Sequence, residues 1–263
     1  TQATGLVEDS PGTLWVGTFG EGVFRGPPDQ LEVVKGGTAL DDRPFAWAGL
    51  RMSNGAIYFT GPRLLLRREP GSNEVRVMSP EGNHNVLCED AEGSLLLGSR
   101  EGELKRLVGD DLQPVADGKF PASISALVRG AGSSLWVATQ GAGLYLRDAG
   151  QTRHWTTAEG LPTDVLRTLY SDADGTLWVS DNRAALTRIS PDGSQAQVGS
   201  MRGAPNGFAR EADGSFLVAN IEDGRFYRQE RDGRHSVVLD AWDGAPLGSA
   251  NFAYLDPQGR MWA

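Results

Sequence analysis

Ala173-Asp-Gly-Thr-Leu-Trp-Val-Ser-Asp181 is a turn running directly into a short strand. Asp-Gly tolerates left-handed backbone, and Thr-Leu-Trp-Val is rich in β-branched and aromatic side chains. The same grammar returns at Ser10-PGTLWVGT, Ser53-NGAIYFTG, Ala91-EGSLLLGS, Gly130-AGSSLWVAT, Ala212-DGSFLVAN and Pro257-QGRMWA. Aligned on Trp178, one column holds Trp15, Tyr58, Leu96, Trp136, Trp178, Leu217 and Trp262, with spacings of 43, 38, 40, 42, 39 and 45 residues. That is the period of a four-stranded propeller blade.

Each unit repeats internally. An apolar strand leads into the turn, and the strand carrying the column follows. Seven residues past the column, Gly22, Gly143, Ala185 or Gly224 opens a third strand such as Val23-Phe-Arg25 or Leu144-Tyr-Leu-Arg147. A more polar stretch closes the unit: Leu31–Val34, Glu74–Met78 or His235–Leu239. Alternation with regular turns excludes βαβ units, and blade-to-blade packing accounts for the aromatic column. The sequence therefore predicts an all-β fold, a single β-propeller domain over 1–263. Six units are complete and a seventh stops after two strands, so seven blades are expected, the last incomplete in this chain. A six-bladed ring with an extra hairpin is the alternative. An open edge invites aggregation, so closing seven blades would call on strands before Thr1 or after Ala263.

Composition narrows the function. Thirty-five glycines and 14 prolines suit many tight turns. No apolar run approaches 18 residues, so no membrane-spanning helix is expected. Net charge is −9, from 34 acidic against 25 basic residues, which disfavours a nucleic-acid partner. The one cysteine, Cys88, excludes an internal disulfide and a cysteine metal cluster, and reads as a buried structural thiol. The chain opens on Thr1 with no recognisable signal peptide, so a piece of a longer protein is expected.

His154-WTTAEGLPTDVLRTLYSDADGTLWVS180, Gly5-LVEDSPGTLWVGTFGEGVFR25 and Leu135-WVATQGAGLYLR147 resemble the propeller repeats of two-component regulators, the extracytoplasmic sensor region of bacterial hybrid histidine kinases and some diguanylate cyclases. The resemblance covers 1–200 and implies a periplasmic or extracellular, non-catalytic sensing module. Ala204-PNGFAREADGSFLVANIEDGRFYRQERDG233 and Asp240-AWDGAPLGSANFAYLDPQGRMWA263 are similar instead to the senescence-marker-protein/gluconolactonase family, with a change of style near Ser200. That likeness implies a calcium- or zinc-dependent lactone hydrolase as the alternative function. Of that family's metal ligands, Asn206 matches the Asn of its Pro-Asn-Gly motif. Asn251 stands where an Asp belongs, and Thr4-Gly5-Leu6 replaces the stretch carrying its Glu.

Inner strands of a propeller start at one mouth of its channel. Eleven residues before the aromatic column lie Thr4, Trp47, Asn85, Ser125, Arg167, Asn206 and Asn251. These converging hydroxyl and amide groups, with one guanidinium, read as a ligand-binding ring. Arg167 is the natural partner of a carboxylate or phosphate. None of the seven is acidic, whereas a hard cation wants carboxylates, so no cofactor is expected unless the hydrolase reading holds. The partner is then a small anionic or sugar-like ligand, or a protein domain. Asp164 and Asp42 are loop carboxylates that could fold over the mouth. His84 reads as a loop histidine, His154 and His235 as outer-strand residues, and Arg63, Arg67 and Arg68 as a solvated cluster.

Overall fold

The computed structural model describes residues 3–34, 45–72, 74–78, 82–183, 185–200, 205–230, 232–248, 250, 253–255, 259 and 261–262. By its internal contacts the chain divides into two compact units, Thr1–Arg129 and Gly130–Ala263. The first unit holds β1 (Ala3–Ser10), β2 (Thr13–Thr18), β3 (Val23–Gly26), β4 (Glu32–Val33), β5 (Ala48–Arg51), β6 (Ile57–Gly61), β7 (Leu64–Arg68), β8 (Val75–Met78), β9 (His84–Glu89), β10 (Leu95–Ser99), β11 (Glu103–Val108), β12 (Asp111–Lys119) and β13 (Ile124–Arg129). The second holds β14 (Leu135–Thr139), β15 (Leu144–Asp148), β16 (Gln151–Trp155), β17 (Leu166–Ser171), β18 (Leu177–Asp181), β19 (Ala185–Ile189), β20 (Gln195–Ser200), β21 (Pro205–Arg210), β22 (Phe216–Asn220), β23 (Phe226–Gln229), β24 (His235–Leu239), β25 (Ala241–Trp242), β26 (Ala245–Pro246), β27 (Tyr254–Leu255) and β28 (Met261–Trp262).

Consecutive strands pair as meanders, β1–β4, β5–β8, β9–β12, β13–β16, β17–β20 and β21–β24, giving six four-stranded sheets. The expected seventh blade is corrected to none: β27 pairs only with β28, in a two-stranded ladder, and β25 pairs with β26. The repeat count rested on a turn and its flanking strands, and a lone hairpin reproduces that signal. Tyr254 faces Trp262 with the separation seen for Tyr170 and Trp178, but among the described residues no third or fourth strand joins them.

The turn chemistry is local. The side-chain oxygens of Asn54, Asp174 and Asp213 each accept the backbone N–H two residues on, at 2.9 Å. This Asx geometry holds the reversal before the second strand. That fixes the register: Val7 faces Trp15, Leu50 faces Tyr58, Cys88 faces Leu96, Tyr170 faces Trp178 and Ala209 faces Leu217.

The column is core, as the repeat implied. Trp15 is fully buried with Val7, Val23, Ile57, Phe59 and Leu66, between the first two sheets. Tyr58 packs with Leu65, Leu95 and Leu97. In the second unit Trp178 packs with Leu186, Phe216, Val218 and Tyr227. The face of the sixth sheet carrying Leu217 and Phe226 is covered by Ala250, Leu255 and Met261, so the terminal hairpin packs against that sheet. First strands approach closely: a Cβ on Gly5 would lie 2.9 Å from the Gly49 nitrogen.

Facing the column on the third strands are Arg25, Arg67, Arg106, Arg188 and Arg228, with Leu146 the exception. Acids near the first turn receive several of these cations. Arg106 meets Asp90 at 2.9 Å and Arg228 meets Glu211 at 2.6 Å. The solvated cluster is corrected here. Arg63 is exposed, but Arg68 is buried and binds Asp9 through two contacts of 2.8 Å. Arg67 pairs with Glu69 and lies over the Tyr58 ring.

Candidate functional site

Six of the seven positions chosen from sequence have a described backbone; Asn251 lies outside the described residues. Four share a feature the sequence did not reveal. In the first unit, Ala3 pairs with Thr18 and Gly5 with Gly17, so Thr4 is an extra residue in β1. His84 pairs with Ser99 and Val86 with Gly98, leaving Asn85 extra in β9. In the second unit, Leu166 pairs with Asp181 and Thr168 with Ser180, which leaves Arg167 extra in β17. Asn206 holds the same place in β21, between Pro205 facing Asn220 and Gly207 facing Ala219. Each is a β-bulge, a break in the ladder that bends the strand and re-aims the side chain of the unpaired residue.

Within the first unit these groups are linked along the series. The Thr4 hydroxyl donates to the carbonyl of Ala46, the residue before Trp47. The Asn85 Nδ2 donates to the carbonyl of Ile124, the residue before Ser125, at 2.9 Å. Trp47 is half-buried, its backbone N–H donating to Thr60 O at 2.6 Å and its ring covered by the Arg100 guanidinium at 4.2 Å. The Asn85 Oδ1 and the Ser125 Oγ are shielded from solvent and have no partner among the described residues. An unsatisfied buried acceptor or hydroxyl costs on the order of 1–3 kcal/mol, so these are places where a polar ligand or water gains most. Beside Trp47, Phe45 and Phe19 form an exposed aromatic pair with centroids 4.5 Å apart.

In the second unit Arg167 is half-buried, and its Nε has no partner among the described residues. Asp164, considered as a lid, is already engaged: its Oδ1 accepts the Thr157 N–H at 2.7 Å, holding the 3-10 turn before Gly160-Leu161-Pro162. Asp42 lies outside the described residues.

A polar series at the ends of the second strands escaped the sequence reading. Thr18, Ser99, Thr139, Asp181 and Asn220 are all buried. Thr18 and Thr139 donate to the carbonyls of Gly22 and Gly143 at 2.7 and 2.8 Å, fixing the turn to the third strand. Asp181 accepts from the N–H groups of Arg183 and Ala185 at 2.7 and 3.0 Å. Its burial raises its pKa against those hydrogen bonds. The spacing from the column, three residues, was the signal available.

His84 is a correction: it opens β9 and is wholly buried, with neither ring nitrogen partnered among the described residues. Burial and the nearby Lys105 hold it below the usual imidazole value, against the pull of Glu101 and Glu103. His154 stacks on Tyr145 at 4.0 Å in β16, and His235 meets the Tyr227 edge from β24, both outer strands as expected. Cys88 is buried and its thiol is pushed up to about 11, which leaves it inert at neutral pH. Among the described residues, no three His, Cys, Asp or Glu side chains are grouped to hold a metal ion. Among the described residues no helix is long and apolar enough to cross a membrane.

No family model matches the chain, and no curated protein does. Solved structures do. The extracellular domain of the hybrid two component system BT4673 from B. thetaiotaomicron is 16% identical with a TM-score of 0.79; the match covers 100% of this chain and 37% of that one. The chain thus spans little more than a third of that relative's length. Virginiamycin B lyase from Staphylococcus aureus is 12% identical with a TM-score of 0.78, over 97% of this chain and 89% of that one. The WD40 β-propeller domain of Doa1 is 14% identical with a TM-score of 0.77, over 99% of this chain and 88% of that one. Identities this low carry the fold and no more: the chain is an all-β protein of the β-propeller fold, with six four-stranded blades.

Proposed function

We propose that this chain is the sensing or interaction propeller of an extracytoplasmic bacterial signalling protein, binding its ligand or partner at the starts of its first strands and catalysing nothing. One observation carries the reading: first-strand starts are bulged at Thr4, Asn85, Arg167 and Asn206, which takes those residues out of the ladder. Bulges concentrate where a strand must present a side chain rather than pair. The unpartnered Asn85 Oδ1 and Ser125 Oγ supply hydrogen-bonding capacity, and the half-buried Trp47 an apolar face. A small anionic or sugar-like ligand, or a protein domain, fits such groups. The fold likeness to an extracellular sensor domain supports the placement, since fold alone leaves function open.

The test is amide chemical-shift mapping of the chain with three soluble probes: a neutral disaccharide, succinate and inorganic phosphate. Shifts concentrated at 4–5, 85–86 and 125–126 in the first unit, or at 167–168 in the second, are the expected outcome. Shifts confined to outer strands such as β16 and β24 would overturn it.

A further inference from the structure

The cation at one of these bulges identifies a ligand chemistry. We infer that Arg167 is the anchor of an oxyanion subsite, taking a carboxylate or phosphate group of the ligand. This inference rests on the reading that first-strand bulges face the ligand.

Most of the described arginines that are partly or wholly buried are matched by acids. Arg25 and Arg68 share Asp9, Arg106 meets Asp90, Arg210 meets Asp172 and Arg228 meets Glu211. The pattern follows from physics: a guanidinium drawn from water loses hydration and needs a compensating charge. Arg167 departs from it. It is half-buried, its Nε is shielded from solvent, and no carboxylate among the described residues pairs with it. Asp181, on the neighbouring strand, turns its Oδ1 to the N–H groups of Arg183 and Ala185 instead.

Position makes the unpaired charge usable. Arg167 lies outside the β17–β18 register, between Leu166 facing Asp181 and Thr168 facing Ser180. The Thr168 N–H is held by the Ser180 Oγ at 3.2 Å, so the strand is anchored immediately beyond the bulge. A cation on a fixed backbone presents a planar fork of donors without a competing internal acid. That fork matches the paired oxygens of a carboxylate or phosphate. A chain of net charge −9 repels anions at long range, so recognition has to come from short-range, charge-assisted hydrogen bonds.

Calorimetric titration with succinate and with inorganic phosphate, at low ionic strength, separates the two sources of the oxyanion. At least one should bind saturably, with Kd on the order of 1 mM for a single isolated group. Arg167→Gln should weaken that binding about tenfold or more, since hydrogen bonds to a charged group carry that much. Arg167→Lys should fall between, keeping the charge without the fork. Arg188→Gln, an exposed arginine of the same sheet, should bind as the parent does. Unchanged thermal midpoints show the variants to be folded. Failure of both anions to bind, or binding indifferent to Arg167→Gln, would overturn the inference. If both anions fail while the neutral disaccharide still shifts the amides at 85–86 and 125–126, only the oxyanion subsite falls and the sensing reading stands.

Discussion

The second strand of each blade and the start of its first strand belong to one hairpin, yet they are built differently. Second strands such as β6, β10, β14, β18 and β22 are buried along their whole length and are hydrogen-bonded to a strand on either side. The starts of β1, β9, β17 and β21 fall out of register with the second strand, and in the first unit Thr4 and Asn85 bond across to the carbonyls of Ala46 and Ile124, while the Asn85 Oδ1 and Ser125 Oγ have no partner among the described residues. A continuous ladder satisfies every backbone group and leaves side chains free only to pack. A bulge gives up some of that pairing and gains a side chain whose direction is no longer dictated by the pleat. Packing is thus concentrated on the second strand, and the binding proposed above would use the opposite end of the same hairpin.

Truncating the packed side should have the largest effect. Trp15→Ala should cost about 3–5 kcal/mol, as removal of a fully buried aromatic does. Trp15→Phe should cost much less, because the indole N–H has no partner to lose among the described residues. Denaturant unfolding reads both, and an unchanged midpoint for Trp15→Ala would break the comparison at its stronger end. Next comes Asp9→Ala, expected to cost about 3 kcal/mol by stranding the buried Arg68 guanidinium. A cost below about 1 kcal/mol would class that ion pair with ordinary surface pairs.

The third effect depends on pH. Burial lowers the pKa of His84, so the unfolded chain binds more protons there than the folded one. Its neutral form therefore supports the fold fully above the ordinary value of 6.5, and stability drops as pH falls from 6.5 toward the lowered folded value. His84→Gln should flatten that part of the stability curve. An unaltered slope would show that His84 does not titrate within the folded range.

The smallest effects sharpen the weaker end. Asn85→Ala removes the bond to Ile124 O and should cost about 1 kcal/mol. Ser125→Ala removes a buried hydroxyl with no partner among the described residues and should cost nothing or stabilise by about 1 kcal/mol. If Ser125→Ala were the more costly of the two, Ser125 would be a structural member of the linkage and not an open ligand contact.

Much of this was legible because it is local. Asp-Gly and Asn-Gly turns act through their own backbone, so Asn54, Asp174 and Asp213 mark the hairpins in the sequence as surely as in the structure. A repeat counted on those hairpins nevertheless overshot by one blade. Pro257-QGRMWA has the turn and the strand, but among the described residues its strand pairs only with β27. The buried His84 misled for the same reason. Its strand is set by pairing with Ser99, and its burial by packing around it, neither of which a window around Asn83-His84-Asn85 contains.

By itself, then, the sequence determined the period, the turn type, the aromatic core column and the polar character of the first-strand starts, all consequences of side-chain chemistry repeated near every 40 residues. Tertiary structure alone decided the bulges, the matching of Arg68 to Asp9, and which polar atoms are left without partners. Register breaks and long-range ion pairs are settled by the free energy of whole sheets packing together. The same Thr, Asn or Arg is compatible with an in-register strand or a bulged one until its neighbours choose.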